Sequence, residues 1–214
     1  MTKTQKVQKS ILPILVEFDR VCRKLEIPYS LAFGTLLGAA RHQGFIPWDD
    51  DIDVIMKRED YDRFLKEAPG HFNKGYFLQT QASDPYYYFP FAKIRTDQVE
   101  MVEQATSHVK QHHGAWIDIF PYDAVPNEQA MADKKYQNGH RLSEKINFFM
   151  YMYVTGHERR PVQIIKKMVV FLNNHFYKRN FLLKKWHQER EKIMRTSNNE
   201  KTEYLSLYAF RHKS

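Results

Sequence analysis

The amino-acid sequence predicts an α+β fold, with a mixed β-sheet flanked by helices and followed by a basic helical C-terminal part. Three observations carry this. Helical periodicities alternate with short strand-like runs up to Pro126. An acidic stretch, Asp49 to Asp53, opens straight into an apolar run. From Asn127 onward, helical patterns rich in Lys and Arg take over. The expected organisation is a core over residues 1–126 and a mainly helical basic region over 127–214 packed on it. A chain of 214 residues can bury a sizeable core. Its 43% hydrophobic and 14% aromatic content excludes a disordered chain. The formal charge of +8 and pI near 9.4 favour polyanions, without choosing among nucleic acid, anionic lipid and phosphate-rich glycan.

Taken in order, the first ten residues are polar and basic and make neither a signal peptide nor a membrane span. Ile11, Leu12, Leu15, Phe18, Val21, Cys22 and Leu25 recur at helical intervals, which predicts an amphipathic helix from Ser10 to Glu26 with Ser10 as cap. Cys22, the single cysteine, falls on the apolar face and reads as a core thiol, with no internal disulfide to form. Pro28 interrupts. Tyr29 to Phe33 is apolar enough for a buried strand, Gly34 supplies a turn, and residues 35–42 form a short helix. Its N-terminus would present Thr35 and backbone N–H groups to an anion, although Gly34-Thr35 taken by itself reads first as an ordinary strand-to-helix turn.

Beyond the acidic stretch, Arg58 to Glu67 places Tyr61, Phe64 and Leu65 on one helix face. Phe72 to Thr80 and Tyr86 to Thr96 read as strands separated by the Ser83-Asp84-Pro85 turn signal. Lys93 and Arg95 share a strand face by the period of two, either as phosphate contacts or as a solvated face. Val99 to Lys110 reads as further strand and loop, leading to a strand through Asp118. Ala130 to Thr155 is helical in pattern. The stretch that follows interleaves bulky apolar residues with Arg159, Arg160, Lys166, Lys167, Lys178, Arg179, Lys184 and Lys185. Packing of these helices on the core is the favoured account, and contact with an anionic membrane surface is the other.

Asp49, Asp50, Asp51 and Asp53 place four carboxylates within five residues. Like charges so close raise one another's pKa and oppose folding, so their presence beside Ile52, Val54 and Ile55 implies a compensating cation. In a strand, Asp49, Asp51 and Asp53 would share one face. Oxygen-only ligands of this kind suit Mg2+, with Mn2+ as its substitute, and Mg2+ commonly shares substrate phosphate oxygens. A calcium hand needs Gly at its sixth and Glu at its twelfth position, and counting from Asp49 these fall on Val54 and Asp60. Arg41 can hold a carboxylate or meet a phosphate. His42 reads as a surface residue, and Trp48 as a packed loop anchor sooner than a base-stacking ring.

The Gly34-Thr35 turn followed by Asp51-Ile52-Asp53-Val54 resembles the signature of the nucleotidyltransferase fold. The longer string LLGAARHQGFIPWDDDIDV, with HHGAWIDIFPYDAVP from His112 to Pro126, resembles the LicD family more specifically. That resemblance implies that Asp118 supplies a third metal carboxylate beside Asp51 and Asp53. It implies transfer of phosphocholine or a related phospho-alcohol from a CDP-activated donor, CDP-choline first among them, to a cell-surface glycan such as teichoic acid, lipooligosaccharide or capsule. The acceptor is then lipid-linked, and the chain cytoplasmic at the inner face of the membrane. Asp49 is the spare carboxylate, as general base or for a second metal. The resemblance also leads one to expect, beyond a strand-like piece at Tyr204 to Phe210, a further acceptor-side region with aromatic, proline and glycine motifs; the sequence ends at Ser214. Two other classes use the same residues: a nucleotidyltransferase acting on nucleic acid, and a non-catalytic basic adaptor for membranes or polyanions.

Overall fold

The computed structural model describes residues 1–103, 106–107, 109–150, 160–176 and 181–207. The chain divides into two compact units. One comprises Met1–Ser83, Phe91–Met101 and His112–Tyr122, and the other Asp84–Pro90, Val102–Gln111 and Asp123–Ser214. The main cut falls between Tyr122 and Asp123, four residues before the expected boundary at 126. Two segments within the expected core go to the second unit because their side chains build its interior: Tyr88 and Val109 are buried with Ile146 and Leu183.

The first unit opens with helix α1 (Lys3–Leu25), followed by β1 (Ser30–Leu31), α2 (Phe33–His42), β2 (Asp53–Lys57) and α3 (Arg58–Glu67). β3 (Tyr76–Gln79), β4 (Ala92–Glu100) and β5 (Gly114–Val125, of which residues to Tyr122 belong here) complete it. The sheet order is β1-β2-β5-β4-β3, with β2 and β5 parallel and the other neighbours antiparallel. This is the mixed sheet that the sequence predicts. Alternation sends Ile52, Val54 and Met56, Ile117 and Ile119, and Ala92 and Ile94 into one buried cluster. Ile11, Ile14, Phe18 and Cys22 of α1 and Tyr61 and Phe64 of α3 join them there. Burial pushes the Cys22 thiol up to about 12, which keeps it protonated and inert, as expected of a core thiol.

α1 starts seven residues earlier than Ser10. Thr2 accepts from the Gln5 backbone N–H while the Gln5 side chain accepts from Thr2, a reciprocal cap that holds the polar first turns in helix. Ser10 instead donates to the Lys6 carbonyl within the helix. Strand β4 begins at Ala92, not Tyr86, because Tyr86 to Pro90 serve the second unit.

In that second unit, α4 (Gln129–Met150), α5 (Arg160–Phe176) and α6 (Phe181–Arg195) precede β6 (Tyr204–Ser206), which pairs antiparallel with Asp123, Ala124 and Val125. Asn198 fastens this edge, donating to the Asp123 carboxylate and accepting from the Ala124 N–H. Arg190 is buried and donates to the Tyr88 carbonyl; Lys135 donates to the Ala124 carbonyl. The expected helix to Thr155 runs to Met150, and its last five residues lie outside the described ones, as do Tyr208 to Phe210 of the expected last strand. Among the described residues no helix is long and apolar enough to cross a membrane.

Candidate active site

β2 and β5 run parallel with Asp53 directly opposite Asp118. On its other side Asp118 faces Lys93 of β4, which in turn faces Gln79 of β3. Gln79, Lys93, Asp118 and Asp53 thus form one row across four strands. Residues flanking this row along the same strands, such as Ile52, Val54, Ile94 and Ile117, belong to the buried cluster, so the row lies on the face away from it. The period of two is sufficient to separate a polar face from a core face within each strand.

The acidic loop approaches this row from α2. Gly34 has no side chain where the Asp49 carboxylate rests, and a methyl group there would collide with it. The glycine is needed for close approach. The positive φ of the turn belongs to Phe33, at +45°, a left-handed conformation that costs a bulky residue energy. α2 therefore begins two residues before the expected start, and Thr35 lies in its first turn. The Thr35 hydroxyl accepts the Asp53 N–H at 2.9 Å, so it positions the acidic strand. Gln8 of α1 reaches into the same loop, donating to the Ile46 and Asp49 carbonyls. No local pattern marks Gln8 for this task; it follows from the extra N-terminal turns of α1. With Leu31, Ile52 and others, Gly34, Thr35 and Asp49 line a cavity of about 250 Å3.

The carboxylates lie close enough to repel one another. The Asp53 carboxyl is pushed up to about 7, first by burial and then by repulsion from Asp51, Asp118 and Asp49, against a smaller opposing pull from Lys93. Asp51 is pushed up to about 6, first by burial, then by Asp49 through charge and a side-chain hydrogen bond, and by Asp118. Asp51 nonetheless keeps considerable solvent access. Asp50 is exposed and contributes least.

The donor set, oxygen only and mutually repelling, fits a hard divalent cation in charge and chemistry. It is not a finished cage: among the described residues no group of three acidic, His or Cys side chains is arranged to hold an ion as it stands. The Lys93 ammonium lies 3.0 Å from Asp118 Oδ1, an ion pair lacking hydrogen-bond geometry, and 4.4 Å from the Trp116 ring centre. Lys93 is buried, so the solvated-face account of this strand fails.

Arg95 corrects the expectation of a phosphate contact. It is 0% exposed, donates to the Gln79 side chain and the Gly114 carbonyl, and stacks its guanidinium over Trp116. A solvent-borne phosphate has no route to it. Arg41 is exposed in the last turn of α2, forms no ion pair among the described residues, and complements the helix C-terminus. Trp48 is 77% exposed, with the His42 ring edge-on at 6.5 Å, and so is not the packed loop anchor that its size suggests.

The raised carboxyls predict a pH effect on the metal-free protein. Their folded pKa values exceed the ordinary carboxylate value of 3.8, so the folded state takes up protons more readily than the unfolded state between those values. The destabilisation is complete above the folded values and is relieved as pH falls toward 3.8. His187 opposes this, because burial lowers it to about 3 and stability is lost as the unfolded imidazole protonates. The difference in melting temperature between wild type and Asp53→Asn, measured in chelator, should therefore be larger at about pH 8 than at about pH 5. An equal difference at both would show that Asp53 carries no such burden.

Carboxylates on adjacent parallel strands, approached by a glycine turn, define an α+β protein with an acidic centre on its sheet. The chain belongs to the LicD family: the family profile described as LicD/FKTN/FKRP, nucleotidyltransferase domain, matches residues 26–153, more than half of the chain. It is 43% identical over 121 residues to the lipopolysaccharide cholinephosphotransferase LicD of Haemophilus influenzae, covering 55% of this chain and 43% of that protein. An uncharacterized protein of Rickettsia typhi is 37% identical over 76 residues, covering 36% of this chain and 25% of its own length. The chain thus spans less than half the length of the curated relatives it matches.

Proposed function

We propose that this chain carries the catalytic centre of a phosphotransferase that moves phosphocholine from CDP-choline to a cell-surface glycan. The observation that carries the reading is Asp53 opposite Asp118 on parallel strands, with Asp51 and Asp49 in electrostatic contact. The similarity to a lipopolysaccharide cholinephosphotransferase supports the phosphocholine donor group and a lipopolysaccharide-type acceptor.

Asp51, Asp53 and Asp118 would hold Mg2+, or Mn2+ in its place. When bound, the ion neutralises the donor diphosphate and the departing nucleotide. The Lys93 ammonium, 3.0 Å from Asp118 and held against Trp116, would add a positive charge beside that site. Thr35 fixes the start of β2, so the Asp53 carboxylate is aimed before the donor arrives. Asp49, seated on Gly34, accepts the proton of the attacking glycan hydroxyl. The hydroxyl oxygen bonds to the phosphorus bearing choline, the diphosphate bridge to that phosphorus breaks, and CMP departs. No protein nucleophile takes part. Trp48, exposed beside His42, offers a face to the cytosine base, and Arg41 a fork to a phosphate.

The experiment is a calorimetric titration of CDP-choline into the protein with and without Mg2+, followed by assay of CMP release in the presence of lipooligosaccharide. Metal-dependent binding and acceptor-dependent CMP are expected. Pyrophosphate release from a nucleoside triphosphate with an RNA end, and none of CMP, would assign the centre to nucleotidyl transfer instead.

A further inference from the structure

Helix α5 differs in charge from its neighbours in the second unit. α4 contains Asp133 and Glu144, and α6 contains Glu189 and Glu191; α5 contains no acidic residue and carries Arg160, Lys166 and Lys167. It packs against α4 yet leaves large apolar side chains in solvent. Ile164 and Phe171 are each 66% exposed, and Ile165, Met168 and Leu172 are exposed with them. At helical spacing these five residues fall on one side, and exposed Val162 widens the arc. Arg160 and Lys167 lie within about 40° of its Phe171 edge, and Lys166 within about 40° of its Val162 edge.

We propose that α5 lies along an anionic lipid bilayer, with this arc sunk into the boundary between headgroups and acyl chains and with Arg160 and Lys167 on lipid phosphates. The pattern of an apolar arc bordered by cations on both sides, with no carboxylate, is the one that lets apolar burial and electrostatic attraction act together. The long stems of Lys and Arg keep their charges at the phosphates while the stems lie along the apolar layer. A helix of 17 residues with three cations lies on such a surface and does not cross it. The chain's formal charge of +8 works in the same sense. This inference does not rest on the phosphocholine chemistry, and its test needs neither donor nor metal.

The test is co-sedimentation of the full chain with phosphatidylcholine vesicles, with or without phosphatidylglycerol. Binding to the anionic vesicles should exceed binding to neutral ones by about tenfold or more and should weaken with salt. The triple variant Ile164→Ser, Met168→Ser, Phe171→Ser should lose about tenfold or more of that binding with an unchanged circular dichroism spectrum, because these side chains are already in solvent. Arg160→Glu with Lys167→Glu should abolish the preference for anionic vesicles. Equal binding by the serine variant, or no binding to anionic vesicles, would overturn the proposal. So would light scattering that shows a dimer of the wild type made monomeric by the serine variant without any vesicle binding, since the arc would then belong to a second copy.

Discussion

Replacing Asp53 by Asn should lower CMP release from CDP-choline by about a thousandfold or more while leaving the protein folded. The substitution keeps the shape of the side chain and spares the backbone N–H that Thr35 accepts, so β2 stays where it is. What it removes is the carboxylate at the centre of the cluster, the one that feels Asp51, Asp118 and Asp49 together. Removing it also relieves repulsion, so the metal-free variant should melt higher than wild type at about pH 8. A gain in stability coupled to a loss of activity distinguishes a functional carboxylate from a structural one. Transfer at the wild-type rate by Asp53→Asn would sink the assignment, whatever the acceptor proves to be.

Arg95→Ala should have the largest effect on stability, a loss of about 3 kcal/mol or more. Its guanidinium is fully buried, and truncation removes the donors that it gives to the Gln79 side-chain oxygen and the Gly114 carbonyl. Gly114 is crowded, for a Cβ there would overlap the Thr96 carbonyl, so the β4–β5 pairing cannot easily close over the space. A loss of this size is a substantial fraction of the stability of a small domain. Urea denaturation checks it directly. Arg95→Ala with wild-type stability and weakened CDP-choline binding would restore the phosphate role that the sequence suggests and the fold withdraws.

Lys93 and Arg95 show why strand patterns locate residues more reliably than they assign tasks. The period of two put both on one face and that face beside Asp118. Whether the face met solvent or protein depended on what covers it, which no local pattern carries. Trp48 erred in the other direction. A tryptophan in a loop is usually buried for its area, yet here it projects into solvent while smaller residues pack the turn. The start of α1 was legible, for Thr2 and Gln5 stand at capping-box spacing, but the polar first turns have little apolar stripe to signal a helix.

The order of helices and strands, the mixed sheet and the acidic cluster were all present in local pattern, because periodicity and like-charge crowding are properties of neighbours in sequence; the strand itself takes in only Asp53 of the four carboxylates. Gly34 and Thr35 were visible there too, but the long-range contacts that aim the acidic loop were not. Gln8 meets Asp49 across 41 positions, and Asp53 meets Asp118 only because β2 and β5 pair in parallel register. The transfer of Asp84–Pro90 and Val102–Gln111 to the second unit was equally hidden. Contacts between distant segments are chosen by which buried surfaces fit, and that choice is made by the packing of the whole chain.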